Sequence, residues 1–166
     1  MKSREQLKKA LEQFGEIRSD EPMKIHTTFG IGGPAEIFLT VRTSNDLAGA
    51  IRVTNEANAN LFILGSGSNI VVGDKGITGV VIDNRAKKLK QIDDFRFQIE
   101  SGANFSGTAR RMCRFGLAGL AWAVGIPGTF GGAVVYNAGA YGGCLSDVLL
   151  RANLFSPTSG NAWFDS

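Results

Sequence analysis

The chain has 166 residues, 43% of them hydrophobic, with 18 Lys and Arg against 15 Asp and Glu and a net charge of +3. That apolar content excludes a disordered chain, and no apolar stretch reaches the ~18 residues of a membrane-spanning helix. A small positive charge with no Lys/Arg stripe interleaved with aromatics argues against a nucleic-acid-binding surface.

The N-terminal segment, MKSREQLKKALEQF, lacks the apolar stretch of a signal peptide, which predicts a soluble cytoplasmic protein. Leu7, Ala10, Leu11 and Phe14 recur at i, i+3, i+4 and i+7, which predicts a helix over 3–14. Ser3 with Gln6 forms a capping-box pattern at its start, and Gly15 a stop. Residues 26–34, HTTFGIGGP, read as an extended entry into a turn, and 36–41 as a strand. Thr43 with Asp46 opens a second helix over 44–58, whose stripe is Leu47, Ala50 and Ile51. The run LFIL at 61–64 predicts a strand buried on both faces. It leads into Gly65-Ser66-Gly67-Ser68-Asn69, after which 70–72 resume an apolar run and 79–83 form another strand. Strand–helix–strand order predicts a parallel α/β unit in this half.

Residues 85–96 carry Arg85, Lys87, Lys88, Lys90 and Arg96 and few large apolar side chains. They read as a solvated loop or hairpin and as the boundary between units 1–84 and 85–166. Residues 97–101 alternate like a strand. Phe105, Ala109 and Met112 predict a helix over 104–115 ended by Gly116, with Cys113 in its apolar stripe and Arg110, Arg111 and Arg114 on its solvated face. Residues 151–166 read as a strand, a Pro-Thr-Ser-Gly turn and the beginning of a return strand.

Glycine is the informative residue: 22 are present, roughly twice the average usage of about 7%. Two loops concentrate the chemistry. In LGSGSN at 64–69, Gly65 and Gly67 permit positive φ, and successive N–H groups can form an anion-binding nest with Ser66, Ser68 and Asn69 as further donors. A tight Gly/Ser turn with no ligand explains the same residues. The loop lacks the GK[ST] ending of a P-loop and the third glycine of G-x-G-x-x-G. The second loop, GIPGTFGGAVVYNAGAYGG at 125–143, has glycine at 125, 128, 131, 132, 139, 142 and 143. Excluding side chains over that length suggests a close approach of backbone to something flat or charged; the alternative is a packing crossing. Thr129 offers a hydroxyl there and Asn137 an amide.

Other residues carry less. His26 is the sole histidine and has no base partner in sequence, which predicts a structural or surface role. Cys113 and Cys144 lack disulfide-scaffold or metal-ligand spacing, so no metal site is expected. Cys144 adjoins the second loop, where a reactive thiol is an option. Asp93, Asp94 and Glu36 form no carboxylate pair. The residues alone point to a site for a phosphorylated, dinucleotide-like ligand without a catalytic set.

TTFGIGGPA at 27–35, LGSGSNIVV at 64–72 and GIPGTFGGAVVYNAGAYGG at 125–143 together resemble the UDP-N-acetylenolpyruvoylglucosamine reductase (MurB) family. The resemblance implies an α+β, two-subdomain FAD-binding fold of the vanillyl-alcohol-oxidase (PCMH) type, its second subdomain incomplete, with FAD between the subdomains. It implies that Gly65, Ser66, Gly67, Ser68 and Asn69 meet the FAD pyrophosphate, with Leu64 and Ile70 beside them as cofactor-binding residues. Gly128, Thr129, Gly131, Gly132 and Ala133 would close over the pyrophosphate, with Pro127, Asn137, Gly139 and Ala140 near the cofactor and Gly102 and Ala103 as a further turn. The family passes a hydride from NADPH through the flavin to a UDP-sugar enolpyruvate, giving UDP-N-acetylmuramate. Its Tyr-Arg-x-Ser arginine, serine proton donor, glutamate and substrate domain would lie beyond residue 166, so this chain is expected to supply FAD binding and to be inactive alone. Cys144 stands where the family has Glu. The alternative is a non-catalytic FAD-binding or interaction module, as a monomer or as a homodimer covering an exposed edge. A covalent flavin oxidase would need an attachment residue that His26 does not supply.

Overall fold

The structure is a computed structural model and describes residues 3–165. The chain divides into two compact units, Met1–Ala86 and Lys87–Ser166.

In the first unit, α1 (Arg4–Leu11) begins at Ser3, whose hydroxyl accepts from the Gln6 N–H while the Gln6 side chain accepts from the Ser3 N–H. This is the predicted capping box. A short 3-10 turn, Glu12–Phe14, then ends at Gly15. β1 (Glu16–Pro22) follows, then β2 (Pro34–Val41), α2 (Ser44–Glu56), β3 (Leu61–Leu64) and β4 (Ile77–Asn84). The sheet order is β1-β2-β4-β3. β2, β4 and β3 run parallel, as the strand–helix–strand order predicts, and β1 adds antiparallel to β2.

Side chains alternate across the two central strands. Ile37, Leu39 and Val41 of β2 and Val80 and Ile82 of β4 pack with Leu7 and Leu11 of α1 and Ala50 of α2. Phe38 and Val81 project the other way and pack with Met23, Ala35, Leu64 and Val72. Each such large side chain stabilises the fold by about 1.5–3 kcal/mol of burial.

The sheet corrects one expectation and supplies one strand that the sequence does not signal. β3 is an edge strand: Phe62 and Leu64 face the second cluster, but Leu61 and Ile63 are 37% and 47% exposed. The helices cover the central strands and leave that side of the edge open, so a continuous apolar run does not mark a strand covered on both faces. β1, by contrast, carries no apolar alternation at all (EIRSDEP), and the sequence reading leaves it out. It lies on the other edge, where charged side chains are at home.

In the second unit, β5 (Leu89–Gln91) and β6 (Phe97–Ile99) form an antiparallel hairpin. α3 (Phe105–Arg114) starts at Asn104, whose side-chain oxygen accepts from the Gly107 N–H at 2.6 Å. Its buried stripe is Phe105, Thr108, Ala109 and Met112. Cys113 is exposed, against expectation, because one step past Met112 turns the side chain about 100° away from that stripe. α4 (Phe130–Val135) starts at Thr129. A two-residue hairpin, β7 (Gly139–Ala140) with β8 (Gly143–Cys144), precedes the longer antiparallel hairpin of β9 (Arg151–Ser156) and β10 (Gly160–Asp165). Phe105 anchors the core, edge-on to Trp122 and to Phe130, with Ala109, Met112, Leu120, Ala123, Ala133 and Leu145 around it. Among the described residues no helix is long and apolar enough to cross a membrane.

Candidate functional site

The first unit presents its glycine–serine loop directly after β3. Leu64 is buried in the core, so only its main chain faces the loop. Gly65, Ser68 and Ile70 are half-buried, and Ser66 and Asn69 are exposed. Gly67 takes a φ of +66°, the left-handed backbone that the residue type anticipates. A Cβ there would stand 1.9 Å from the His26 carbonyl oxygen, so this glycine is required by packing on the 26–30 turn. The same turn donates from the Thr28 N–H to the Gly67 carbonyl at 3.0 Å. The Ser66 hydroxyl donates to Ser68 at 3.0 Å. Among the described residues, the main-chain N–H groups of Ser66, Gly67, Ser68 and Asn69 donate to no protein acceptor. Four consecutive unspent donors, flanked by two hydroxyls, can bind an anion with several acceptor oxygens. The donor set fits a pyrophosphate. A shallow apolar hollow lined by Phe62, Ile70, Val71, Val72 and Ile77 adjoins it.

His26 has the structural role expected of it, with an acidic partner that the sequence does not show. Its Nε2 lies 2.9 Å from Glu21 Oε1, and its ring stacks on Phe38 with centroids 4.3 Å apart. Glu21 also accepts from Arg18 Nη1 at 2.8 Å. Burial pushes the Glu21 carboxyl up, but the hydrogen bonds from His26 and Arg18 together hold it below its ordinary value. The partner escapes sequence reasoning because it belongs to β1, which has no hydrophobic period.

The second unit knits its glycine loop to the turn at 101–104. Phe105 N–H donates to Gly128 and Phe130 N–H to Ala103, the two bonds that flank the isolated bridge between Asn104 and Thr129. Gly131 N–H donates to Ser101 at 2.7 Å, and a Cβ on Gly131 would lie 2.7 Å from that of Ser101. Gly132 N–H donates to the Thr129 hydroxyl. The amides of 130–132 are therefore spent inside the chain, unlike those of the first loop. What remains open is the surface of Gly132, an exposed residue whose added Cβ would meet nothing closer than Thr129 Oγ1 at 3.5 Å. The Thr129 hydroxyl keeps its hydrogen to donate. Gly102, Gly128 and Ala140 are half-buried and Pro127 and Gly139 exposed. Ala103 and Ala133 are buried, so their methyl groups serve the core.

Asn137, φ +43°, spends its amide locally: Oδ1 accepts from the Ser146 N–H at 2.9 Å and Nδ2 donates to the Ser146 hydroxyl. Cys144 likewise acts as a cap, its N–H and its thiol both donating to Asp147. Those two bonds hold the Asp147 carboxyl below its ordinary value. Among the described residues no cluster of three or more His, Cys, Asp or Glu could hold a metal.

The sequence pattern of the FAD binding domain matches residues 35–162, and the chain belongs to that family. Within it, the likeness read from the three motifs is borne out. The chain is 46% identical over 136 residues to the UDP-N-acetylenolpyruvoylglucosamine reductase of Heliobacterium modesticaldum, covering 81% of this chain and 43% of that one. Among solved structures, the UDP-N-acetylenolpyruvylglucosamine reductase (MurB) of Thermus caldophilus superposes with a TM-score of 0.72 at 30% identity, covering 90% of this chain and 52% of that one. An alkyldihydroxyacetonephosphate synthase at 16% identity and TM-score 0.73 shares the fold, covering 98% of this chain and 38% of that one. The chain spans about half the length of the curated relatives it matches.

Proposed function

We propose that this chain is the flavin-binding part of an enzyme that reduces UDP-N-acetylglucosamine enolpyruvate to UDP-N-acetylmuramate in peptidoglycan precursor synthesis. The observation that carries the reading is the run of unspent amides at Ser66–Asn69 in a loop that the FAD binding domain pattern includes. In this reading those amides and the Ser66 and Ser68 hydroxyls hold the FAD pyrophosphate. The hollow beside Ile70 offers apolar cover to neighbouring parts of the nucleotide. Gly65 shapes the turn of that first loop; within the second unit, Gly132 keeps a face clear for close approach and Thr129 adds a hydroxyl donor, with Gly128, Gly139 and Ala140 shaping the turns there. Bound FAD supplies a two-electron hydride carrier that protein side chains lack. The chain's own part is to bind and orient that carrier, with NADPH as hydride donor and the cytoplasm as the compartment.

The test is a titration of the purified chain with FAD, read by flavin fluorescence and by the visible flavin bands. Saturable quenching and a shifted flavin spectrum are expected. Free-flavin behaviour throughout the titration overturns the reading.

A further inference from the structure

We propose that His26, held between Glu21 and Phe38, is the positioning residue that shapes the glycine–serine loop for its anionic ligand; the inference rests on the flavin-binding reading of that loop. The amides of Ser66–Asn69 are not tied down by bonds they donate, so something outside the loop must fix its shape. Two contacts on Gly67 come from the 26–30 turn. The His26 carbonyl fills the space beside the Gly67 Cα, and Thr28 N–H holds the Gly67 carbonyl at 3.0 Å.

That turn is itself anchored through the histidine ring. The ring and the Glu21 side chain are each only 12% exposed, and their bond spans 2.9 Å. Phe38, on which the ring stacks, is fully buried in the central strand β2. The His26 N–H donates to the Met23 carbonyl, and the buried Thr27 hydroxyl donates to the Ile31 carbonyl, so the turn is closed on both sides of the ring. Arg18 completes the polar set by pairing with Glu21 and Glu16. The sole histidine thus sits at the junction of the sheet and the loop. Its effect on the loop runs through Gly67.

The experiment compares the wild-type chain with His26→Ala, His26→Gln and Glu21→Gln. Two quantities are read: the FAD Kd by fluorescence quenching, and hydrogen exchange of the Thr28 amide in the flavin-free protein. For His26→Ala we expect the Kd to rise about tenfold and the Thr28 amide to lose protection, with β2 and β4 amides unchanged. His26→Gln, which can still donate to Glu21, recovers most of the affinity. Glu21→Gln keeps a hydrogen-bond partner for the ring without the charge and serves if His26→Ala does not fold; about threefold weaker binding is expected. Wild-type affinity in both His26→Ala and Glu21→Gln overturns the inference while leaving the flavin reading intact. Absence of FAD binding by the wild-type chain overturns both.

Discussion

The carbonyl oxygen of His26 lies 1.9 Å from where a Cβ on Gly67 would stand. No side chain fits there without moving backbone, and the residue also holds a φ of +66°. Gly30 has nearly the same φ, +67°, but open space around its Cα. The pair separates conformational strain from collision. Gly30→Ala is expected to cost about 1 kcal/mol, the strain alone. Gly67→Ala is expected to cost roughly 3 kcal/mol, because a rigid carbonyl must also shift. Urea unfolding of the two variants checks the difference; equal costs would show that the His26 contact relaxes freely.

Gly131 and Gly132 are neighbours at the start of α4 with opposite expected behaviour. A methyl on Gly131 meets Ser101, so Gly131→Ala should destabilise by about 1–3 kcal/mol through overpacking. A methyl on Gly132 makes only ordinary contact, with Thr129 Oγ1 at 3.5 Å, and in a helix should stabilise the apo chain by about 0.5–1 kcal/mol. If that open face is kept for FAD, the same Gly132→Ala chain should bind flavin more weakly. Thermal unfolding and flavin titration on one protein sample read both effects.

Asn137 tests whether a residue in the second loop serves the fold. Asn137→Ala removes two hydrogen bonds to Ser146 and leaves alanine at φ +43°, an expected loss of about 2 kcal/mol. Asn137→Gly relieves the backbone and keeps only the lost bonds, about 1 kcal/mol. Equal melting temperatures for the two variants would remove the backbone share from this account.

The depressed Glu21 carboxyl sets an acid limb on stability. Because its folded pKa lies below its ordinary value of 4.5, the group contributes stability fully above that pH and loses it as the pH falls through the folded pKa. In Glu21→Gln this contribution is missing at neutral pH and the acid limb is flatter. The stability gap between wild type and variant should therefore narrow as the pH drops below about 4.5. Denaturant titrations at a series of pH values measure it, and a gap that stays constant counts against the pairing with His26 and Arg18.

Much of the fold was legible where local signals and burial agree. Ser3, Thr43 and Asn104 cap their helices through side-chain oxygens, as their residue types anticipate. The stripes Leu7–Leu11 and Phe105–Ala109–Met112 face their cores. The reading failed where position in the sheet decides. LFIL at 61–64 looks like an interior strand, but the pairing order puts it at an edge. EIRSDEP carries no strand signal, yet it forms an edge strand whose charges pair with one another and with His26. The candidate site followed the same division. The glycine–serine loop was visible as a motif. What shapes it depends on a contact across 41 residues of sequence, from His26 to Gly67, which no local pattern carries.

The division into two compact units also sorts the chromophores. Both tryptophans, Trp122 and Trp163, and both tyrosines, Tyr136 and Tyr141, belong to Lys87–Ser166, while the lone imidazole belongs to Met1–Ala86. Intrinsic emission therefore watches one half of the molecule and is blind to the other, whose melting must be followed through the proton resonances of its single imidazole. Two optical and magnetic readouts on one sample would thus report, without any label, whether the halves come apart together or in turn.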